Sequence, residues 1–427
     1  MSSPNAHSRF RLVPIVLAQA IGFGCGLAGV KLNSYLVPPA VLGIYGLFLT
    51  FAPIGMWVVH VGLLKFISRH WAAAGSRRAL AREVLAAWAR RLPWLAGLVA
   101  LAAWTLSPFG ETGGAIVWLV LFLSAALLSF AAFAQNALQA ERAHWRDCAI
   151  AATASLTRSF VPPLLYAAAG GATTALLLGF NVHALAVAVV AAWAWSTTLG
   201  PKSNAAPAGR ELTAVYEGPL FIALAIAGWG LTGLNRWVVA WCFGPVEAGY
   251  FTLTGGAAVV VTSMLGTVIM QYVQPSLFAL GDGPAAARAT LARRTDLAAL
   301  AYALAALVVV TGVNALAPVL IGPLISPKYR DALPWLFPAG CFGIATMTAL
   351  FYHTMLLAGR RERACGPVDL TTAGVLAGGC VLAGLAGREP LMRWLMFTPL
   401  VPWVLTRPLA HRYFFKPAAD PAPSPAR

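Results

Sequence analysis

Two arginines, Arg158 and Arg236, stand inside stretches otherwise apolar for about the length of a membrane-spanning helix. A guanidinium near mid-bilayer costs at least about 2.5 kcal/mol, so it faces a wet cavity, pairs, or binds something. Arginine also stays charged and presents a planar fork that suits phosphate oxygens. At 1.5 Å of rise per residue, Arg236 lies roughly 12 Å from one end of its stretch. Arg158 lies roughly 15 Å from the opposite end of its own. A side chain at the first depth can snorkel to the interface, and at the second this is harder. Asp147 is too far along the helix to pair easily with Arg158. The chemistry expected of the two is the binding of an anion that carries phosphate. Lys31, Asn33 and Asn235 near span ends, and Gln19 a few turns inward, are candidate substrate contacts beside them. Plain helix-to-helix hydrogen bonding is the alternative for the polar residues.

Composition supplies the elements that must position these groups. The chain is 59% hydrophobic and only 10% charged, against about 25% charged in soluble proteins. Apolar spans of about 20 residues recur along nearly all of it, the pattern of helices rather than of a barrel. About twelve are expected, near 11–32, 38–64, 92–108, 114–138, 148–169, 173–199, 218–243, 248–276, 298–325, 333–358, 367–386 and 391–409. On that count one set of loops holds nearly all the arginines and lysines. The opposite set holds only Lys31, Lys328, Arg330, Arg388 and Arg393. Short basic loops stay cytoplasmic, so both termini are expected in the cytoplasm and the number of spans to be even.

The same bias accounts for the net charge of +16 and removes the need for a nucleic-acid partner. The segment 77–92 is amphipathic, with Leu80, Val84, Leu85, Trp88 and Leu92 on one side, which suits the membrane interface, although a topology anchor with no further role is the favoured reading. The six cysteines show neither metal spacing nor a disulfide framework. The first apolar run continues past Ala18-Gln19-Ala20, which reads as an uncleaved helix. Residues 417–427 read as a disordered Pro/Ala-rich tail. His60, His183 and His353 look isolated, and no catalytic constellation, metal site or cofactor motif stands out.

The halves of the chain echo each other. Leu32-Asn33 precedes Pro39-Ala40-Val41-Leu42-Gly43-Ile44-Tyr45, and Leu234-Asn235 precedes Pro245-Val246-Glu247-Ala248-Gly249-Tyr250. In each case a span ends, a short turn follows, and Pro-x-x-x-Gly with a nearby Tyr opens the next span. Six spans per half give the repeats the same orientation, hence a pseudo-two-fold axis along the membrane normal. The expected fold is therefore all-α and polytopic, with two six-helix bundles over 1–205 and 206–416. Glycines crowd the first span (Gly22, Gly24, Gly26, Gly29) and the seventh (Gly228, Gly230, Gly233), permitting bending or close packing.

At these residues the chain resembles polysaccharide-type flippases, the lipid-linked oligosaccharide or O-antigen translocases of the multidrug/oligosaccharidyl-lipid/polysaccharide exporter superfamily. The resemblance rests on Lys31 to Leu47, on Asn235-Arg236 before Gly244 to Tyr250, and on Pro327-Lys328-Tyr329-Arg330-Asp331-Ala332. It implies two bundles around a central cavity that opens alternately to each side. It also implies a cargo of undecaprenyl-diphosphate-linked sugar moved to the outer leaflet for lipopolysaccharide or other surface polysaccharide. Membrane lipid, a polysaccharide polymerase and glycosyltransferases are the partners that follow.

Acids bear on the competing readings. Glu83, Glu111, Glu141 and Asp147 all fall in loops or at span ends, whereas a drug/cation antiporter is expected to bury a carboxylate in this half. Glu217 and Asp369 sit at cytoplasmic span ends and are candidates for coupling an ion, with helix-end capping the favoured role for Asp369. An ion-coupled multidrug exporter and a membrane enzyme of polysaccharide assembly are the alternatives. The enzyme lacks the external acids and the large external loop it needs.

Overall fold

The computed structural model describes residues 5–416 except 61, 72–73, 75, 107–113, 142, 200–226, 231–232, 282–284, 321–322 and 360. The helices are α1 (Asn5–Leu36), α2 (Pro39–His60), α3 (Leu63–His70), α4 (Arg77–Leu106), α5 (Gly114–Ala140), α6 (His144–Ala168) and α7 (Thr173–Ser196). They continue with α8 (Leu234–Gly281), α9 (Ala285–Leu320), α10 (Leu333–Ala358), α11 (Glu362–Ala386), α12 (Arg388–Phe397) and α13 (Arg407–Phe415). A 3₁₀ turn, Pro327–Ala332, leads into α10. Among the described residues nine helices are long and apolar enough to cross a membrane.

Each expected span coincides with a helix wherever the residues are described. The seventh is seen only in part, since 218–226 and the 205/206 boundary lie outside the described residues, as do Glu217 and the tail 417–427. Spans seven and eight run together in α8 across a break at Gly244, whose φ of 85° suits a residue without Cβ. The last span is interrupted by a 3₁₀ turn at Thr398–Leu400 and a π-turn at Pro402–Thr406 before α13 resumes. Prolines at 399, 402 and 408 remove the backbone donors a regular helix would need.

The outer surface is apolar. Trp94, Val308, Leu385 and Val404 are 72–76% exposed, a belt suited to lipid rather than water. The segment 77–92 corrects the sequence expectation. It is the first half of α4, continuous through Pro93 with the third span. Its Leu80 and Val84 are buried against Phe66, Phe133 and Trp195 instead of lying on a lipid interface.

Three apolar cores hold the helices. One gathers Phe66, Val84, Phe133 and Trp195 from α3, α4, α5 and α7. Another gathers Leu277, Tyr302, Phe351 and Phe414 from α8, α9, α10 and α13. The third joins both halves of the chain: Leu42, Phe48 and Phe51 pack with Trp237, Phe251, Tyr329, Trp335 and Leu391. The halves are thus fused at the end carrying the α1–α2 turn and have separate cores at the other.

The repeated Pro-x-x-x-Gly segments explain the fusion. A Cβ added to Gly43 would lie 2.0 Å from the carbonyl oxygen of Pro245, and one added to Gly249 would lie 1.8 Å from that of Pro39. Each repeat therefore presses its proline carbonyl onto the glycine of the other. This reciprocal contact is what a two-fold relation between α2 and the second part of α8 produces. Only glycine admits the approach.

Candidate functional site

Arg158 lies midway along α6 in a hydroxyl-rich stretch. Thr153 donates to the Ala149 carbonyl at 2.8 Å and Thr157 to that of Thr153 at 2.6 Å, so both hydroxyls are satisfied by their own helix. Thr157 Oγ1 also lies 2.7 Å from His183 Nδ1 on α7. With its single proton given to Thr153, the hydroxyl accepts there and His183 donates through Nδ1. The next turn of α6 meets α1: a Cβ on Gly29 would stand 3.1 Å from Ser159, while Gly22 faces Ser155. The glycines of the first span let α6 pack closely on α1. Gly26 points instead to the other half, where an added Cβ would lie 2.8 Å from Val260 of α8.

Arg236 is placed by its neighbours. Asn235 Oδ1 accepts the Arg236 backbone N–H at 2.8 Å. The Trp237 indole donates to Thr50 Oγ1 of α2 at 2.7 Å, and Thr50 donates in turn to the Leu47 carbonyl at 2.6 Å. Phe51 meets the Trp237 ring edge-on at 5.0 Å. These contacts bind the start of α8 to α2, with Arg236 between two anchored residues.

Arg158 and Arg236, from different halves of the chain, face a common region. The charge of Arg158 acts on Arg236, on Tyr45 of α2 and on His183 of α7. Arg158 is exposed and Arg236 half-buried, and neither has a carboxylate partner among the described residues. Acids inside the helices are engaged elsewhere. Asp296 holds Arg407 at 3.0 Å and Glu247 lies 3.3 Å from Arg388. Asp369 meets His353 Nδ1 at 2.6 Å. That pair corrects two expectations: Asp369 lies well inside α11 rather than capping its end, and His353 is not isolated. Nor is His183. A guanidinium with no carboxylate partner among the described residues favours an anion beside it.

The other sequence candidates are placed differently. Lys31 is exposed near the end of α1. Asn33 donates to the Gly29 carbonyl at 2.8 Å, and its Oδ1 is buried without a hydrogen-bond partner. Asn235, 7% exposed, serves its own helix. Gln19 is half-buried on α1, and among the described residues no hydrogen bond or ion pair links it or Lys31 to the arginines. Sequence reasoning missed Tyr45, Thr157 and His183 as neighbours of Arg158. Tyr45 belonged to the repeated segment and Thr157 adjoins Arg158, so both carried a signal. His183 carried none.

The fused end is closed by the turn before α10. Tyr329 donates its hydroxyl to the Val37 carbonyl at 3.0 Å, Ser326 its backbone N–H to Ser34 Oγ at 3.1 Å, and Lys328 its ammonium to the Tyr35 carbonyl at 2.8 Å. Burial lowers the pKa of Lys328 from its ordinary value. Tyr250 packs edge-on against Tyr329 at 5.9 Å. A second cluster nearby has Trp335 donating to Glu247 at 2.7 Å, with Arg388 over the indole at 5.5 Å.

Residues 35–334 match the family described as polysaccharide biosynthesis protein, whereas no curated protein matches the chain in sequence. Among solved structures, the lipid II flippase MurJ in an inward closed conformation superposes with a TM-score of 0.66 at 9% identity, covering 95% of this chain and 89% of that one. A multidrug resistance MATE family transporter of the MOP superfamily, inward-facing, gives 0.56 at 13% identity over 96% and 100%. An outward-facing MATE structure gives 0.56 at 14% over 95% of each chain. At such identities the likeness is one of fold. The chain is a multi-pass, all-α membrane protein with the fold of MOP-superfamily transporters, and it belongs to the polysaccharide biosynthesis protein family.

Proposed function

We propose that the protein flips a lipid-linked oligosaccharide, of the undecaprenyl-diphosphate type, from the cytoplasmic to the periplasmic leaflet of a bacterial inner membrane. The observation that carries this reading is the pair Arg158 and Arg236, two cations from opposite halves with no carboxylate partner among the described residues. They hold the diphosphate through charge-assisted hydrogen bonds. Lys31, Asn33, Asn235 and Gln19 supply further contacts along α1 and α8, while the polyprenyl tail stays in lipid. The basic loops put both termini in the cytoplasm, so the parted end faces the cytoplasm and the fused end the periplasm. Family membership and the flippase-like fold agree with this assignment. The two bundles, 1–205 and 206–416, rock against each other to expose the site alternately. A polysaccharide polymerase and glycosyltransferases are its expected partners in the pathway.

The test is surface polysaccharide export in a deletion strain complemented with variants at wild-type expression. Arg236→Ala is expected to reduce export at least about tenfold, the effect of losing one charge-assisted contact of about 1.5–3 kcal/mol. Arg236→Lys restores export if charge alone matters and fails if bidentate contact is required. Full export by both Arg158→Ala and Arg236→Ala would remove the arginines from the mechanism.

A further inference from the structure

We propose that the turn 326–329 is the latch of the periplasmic exit, a separate element that must leave the α1–α2 turn before cargo can be released. This rests on the transport reading above and adds the moving part to it. The turn belongs to the C-terminal half, yet its polar groups are satisfied by the N-terminal half. The Tyr329 phenol, 0% exposed, reaches the Val37 carbonyl, the Ser326 N–H reaches Ser34 Oγ, and Lys328 reaches the Tyr35 carbonyl. All three N-terminal partners lie within four residues, between the last turn of α1 and the start of α2. That is where the first span must separate from the second half if the fused end is to open.

The chemistry suits a catch that closes and opens. Each bond is a single hydrogen bond to a backbone carbonyl or a hydroxyl, groups that water can satisfy once the end opens. Unlatching therefore strands no buried charge. A buried ion pair in the same place would resist opening far more strongly. The neighbouring Glu247–Arg388–Trp335 cluster lies wholly within the C-terminal half, so it can ride with the turn as a unit. Beneath the latch, the proline carbonyls press on Gly43 and Gly249 across the same seam, so these contacts part when the latch does. Ser34 is 0% exposed, and its hydroxyl donates to the Lys31 carbonyl at 2.9 Å while accepting from Ser326. Losing the turn frees one lone pair on Ser34 and leaves α1 itself intact.

The experiment places one cysteine beneath the latch, Leu42→Cys, in a background whose six native cysteines are replaced. It reads labelling by a membrane-impermeant maleimide added from the periplasmic side. Leu42 is 3% exposed, so labelling should be slow with the latch intact. Tyr329→Phe should raise the rate about fivefold, the shift expected for one hydrogen bond. Ser34→Ala should raise it at least as much, because it leaves the buried Ser326 N–H without its acceptor. A disulfide formed between Ser34→Cys and Ser326→Cys should abolish labelling and stop polysaccharide export, and reduction should restore both. Labelling that ignores Tyr329→Phe, or export that continues with the disulfide closed, would overturn the latch. Labelling that follows the latch, without movement of a polyprenyl-diphosphate glycan in proteoliposomes, would keep the latch and reject the cargo.

Discussion

The two ends of the molecule are built on different terms. At the α1–α2 end a single apolar core runs through both halves, and the carbonyls of Pro39 and Pro245 press on Gly249 and Gly43. At the opposite end each half closes on itself, around Phe66, Phe133 and Trp195 in one and Tyr302, Phe351 and Phe414 in the other. Polar contacts follow the same division. Across the first end, Tyr329, Ser326, Lys328 and Trp237 bond to the other half of the chain. At the second, the Trp71 indole donates to Glu141 at 2.8 Å and Arg407 pairs with Asp296, each within its own half. A protein in which the halves were welded together would share a core at both ends. One with two finished bundles and a breakable seam can change which end is shut.

The largest effect expected from breaking this contrast is at the seam glycines. In Gly249→Ala the new methyl would stand 1.8 Å from the Pro39 carbonyl oxygen, so α2 and α8 must separate. Overpacking of this kind costs about 1–3 kcal/mol, and the shift should favour an open periplasmic end and lower the melting temperature of purified protein. Gly97→Ala on α4, with nothing within 4 Å of the added Cβ, should instead be neutral or stabilising by up to about 1 kcal/mol, the helix preference of alanine over glycine. Equal effects at the two positions would mean that the seam is not the tight contact described.

Next in size is the indole bond between the halves. Thr50→Val keeps the shape but strands the buried Trp237 N–H, a loss of about 1–3 kcal/mol. Because the bond crosses the seam, maleimide labelling beneath the latch should rise as stability falls. Glu141→Gln at the other end weakens its pairing with Arg77 and alters the acceptor for Trp71 within one half. It should lower thermal stability without changing that labelling rate. If both variants alter labelling alike, the ends are coupled more closely than their separate cores suggest.

Much of this was legible in the sequence because its physical cause is one-dimensional. Spans follow from the length of apolar runs, and Pro39, Gly43, Pro245 and Gly249 recurring half a chain apart mark the repeat, though not that each proline carbonyl meets the other repeat's glycine. The isolation of Arg158 and Arg236 in apolar stretches was equally visible. What escaped depends on three-dimensional partners. Backbone carbonyls accept the Tyr329 and Lys328 bonds, and every residue carries one, so no pattern marks Val37 or Tyr35 as recipients. The segment 77–92 is amphipathic, but periodicity cannot tell a lipid interface from the protein core that in fact covers Val84. Asp369 is a helix-end residue only if α11 starts where its apolar run does, near 367. With the helix beginning at Glu362, it lies deep enough to meet His353.

A third prediction concerns the network inside the C-terminal half. Asp296 accepts both Nε and Nη2 of Arg407 and also bonds Tyr352 at 3.1 Å. Arg407→Ala should therefore cost more than an ordinary surface pair. Partial exposure of the guanidinium, 46%, keeps the loss near about 1 kcal/mol. Asp296→Asn combined with Arg407→Ala should cost less than the two separate losses added together, since they share one interaction. Labelling beneath the latch should not move in either variant. A change there would show that the Phe414 core is linked to the seam.

The smallest effect is the most discriminating for the fused end. Arg393 and Glu389 form an i,i+4 pair on α12, with side chains 70% and 74% exposed. They lie close in sequence to Leu391 and Leu395 of the shared core. If charges at this end held the halves together, Arg393→Ala would loosen the seam, and raised salt would do the same to the wild type. An exposed pair of this kind contributes only about 0.3–0.5 kcal/mol, and salt screens it. Arg393→Ala should therefore leave both melting temperature and labelling unchanged within error, at low salt and high. Salt-dependent labelling in the wild type that disappears in Arg393→Ala would move the origin of closure from buried contacts to surface charge.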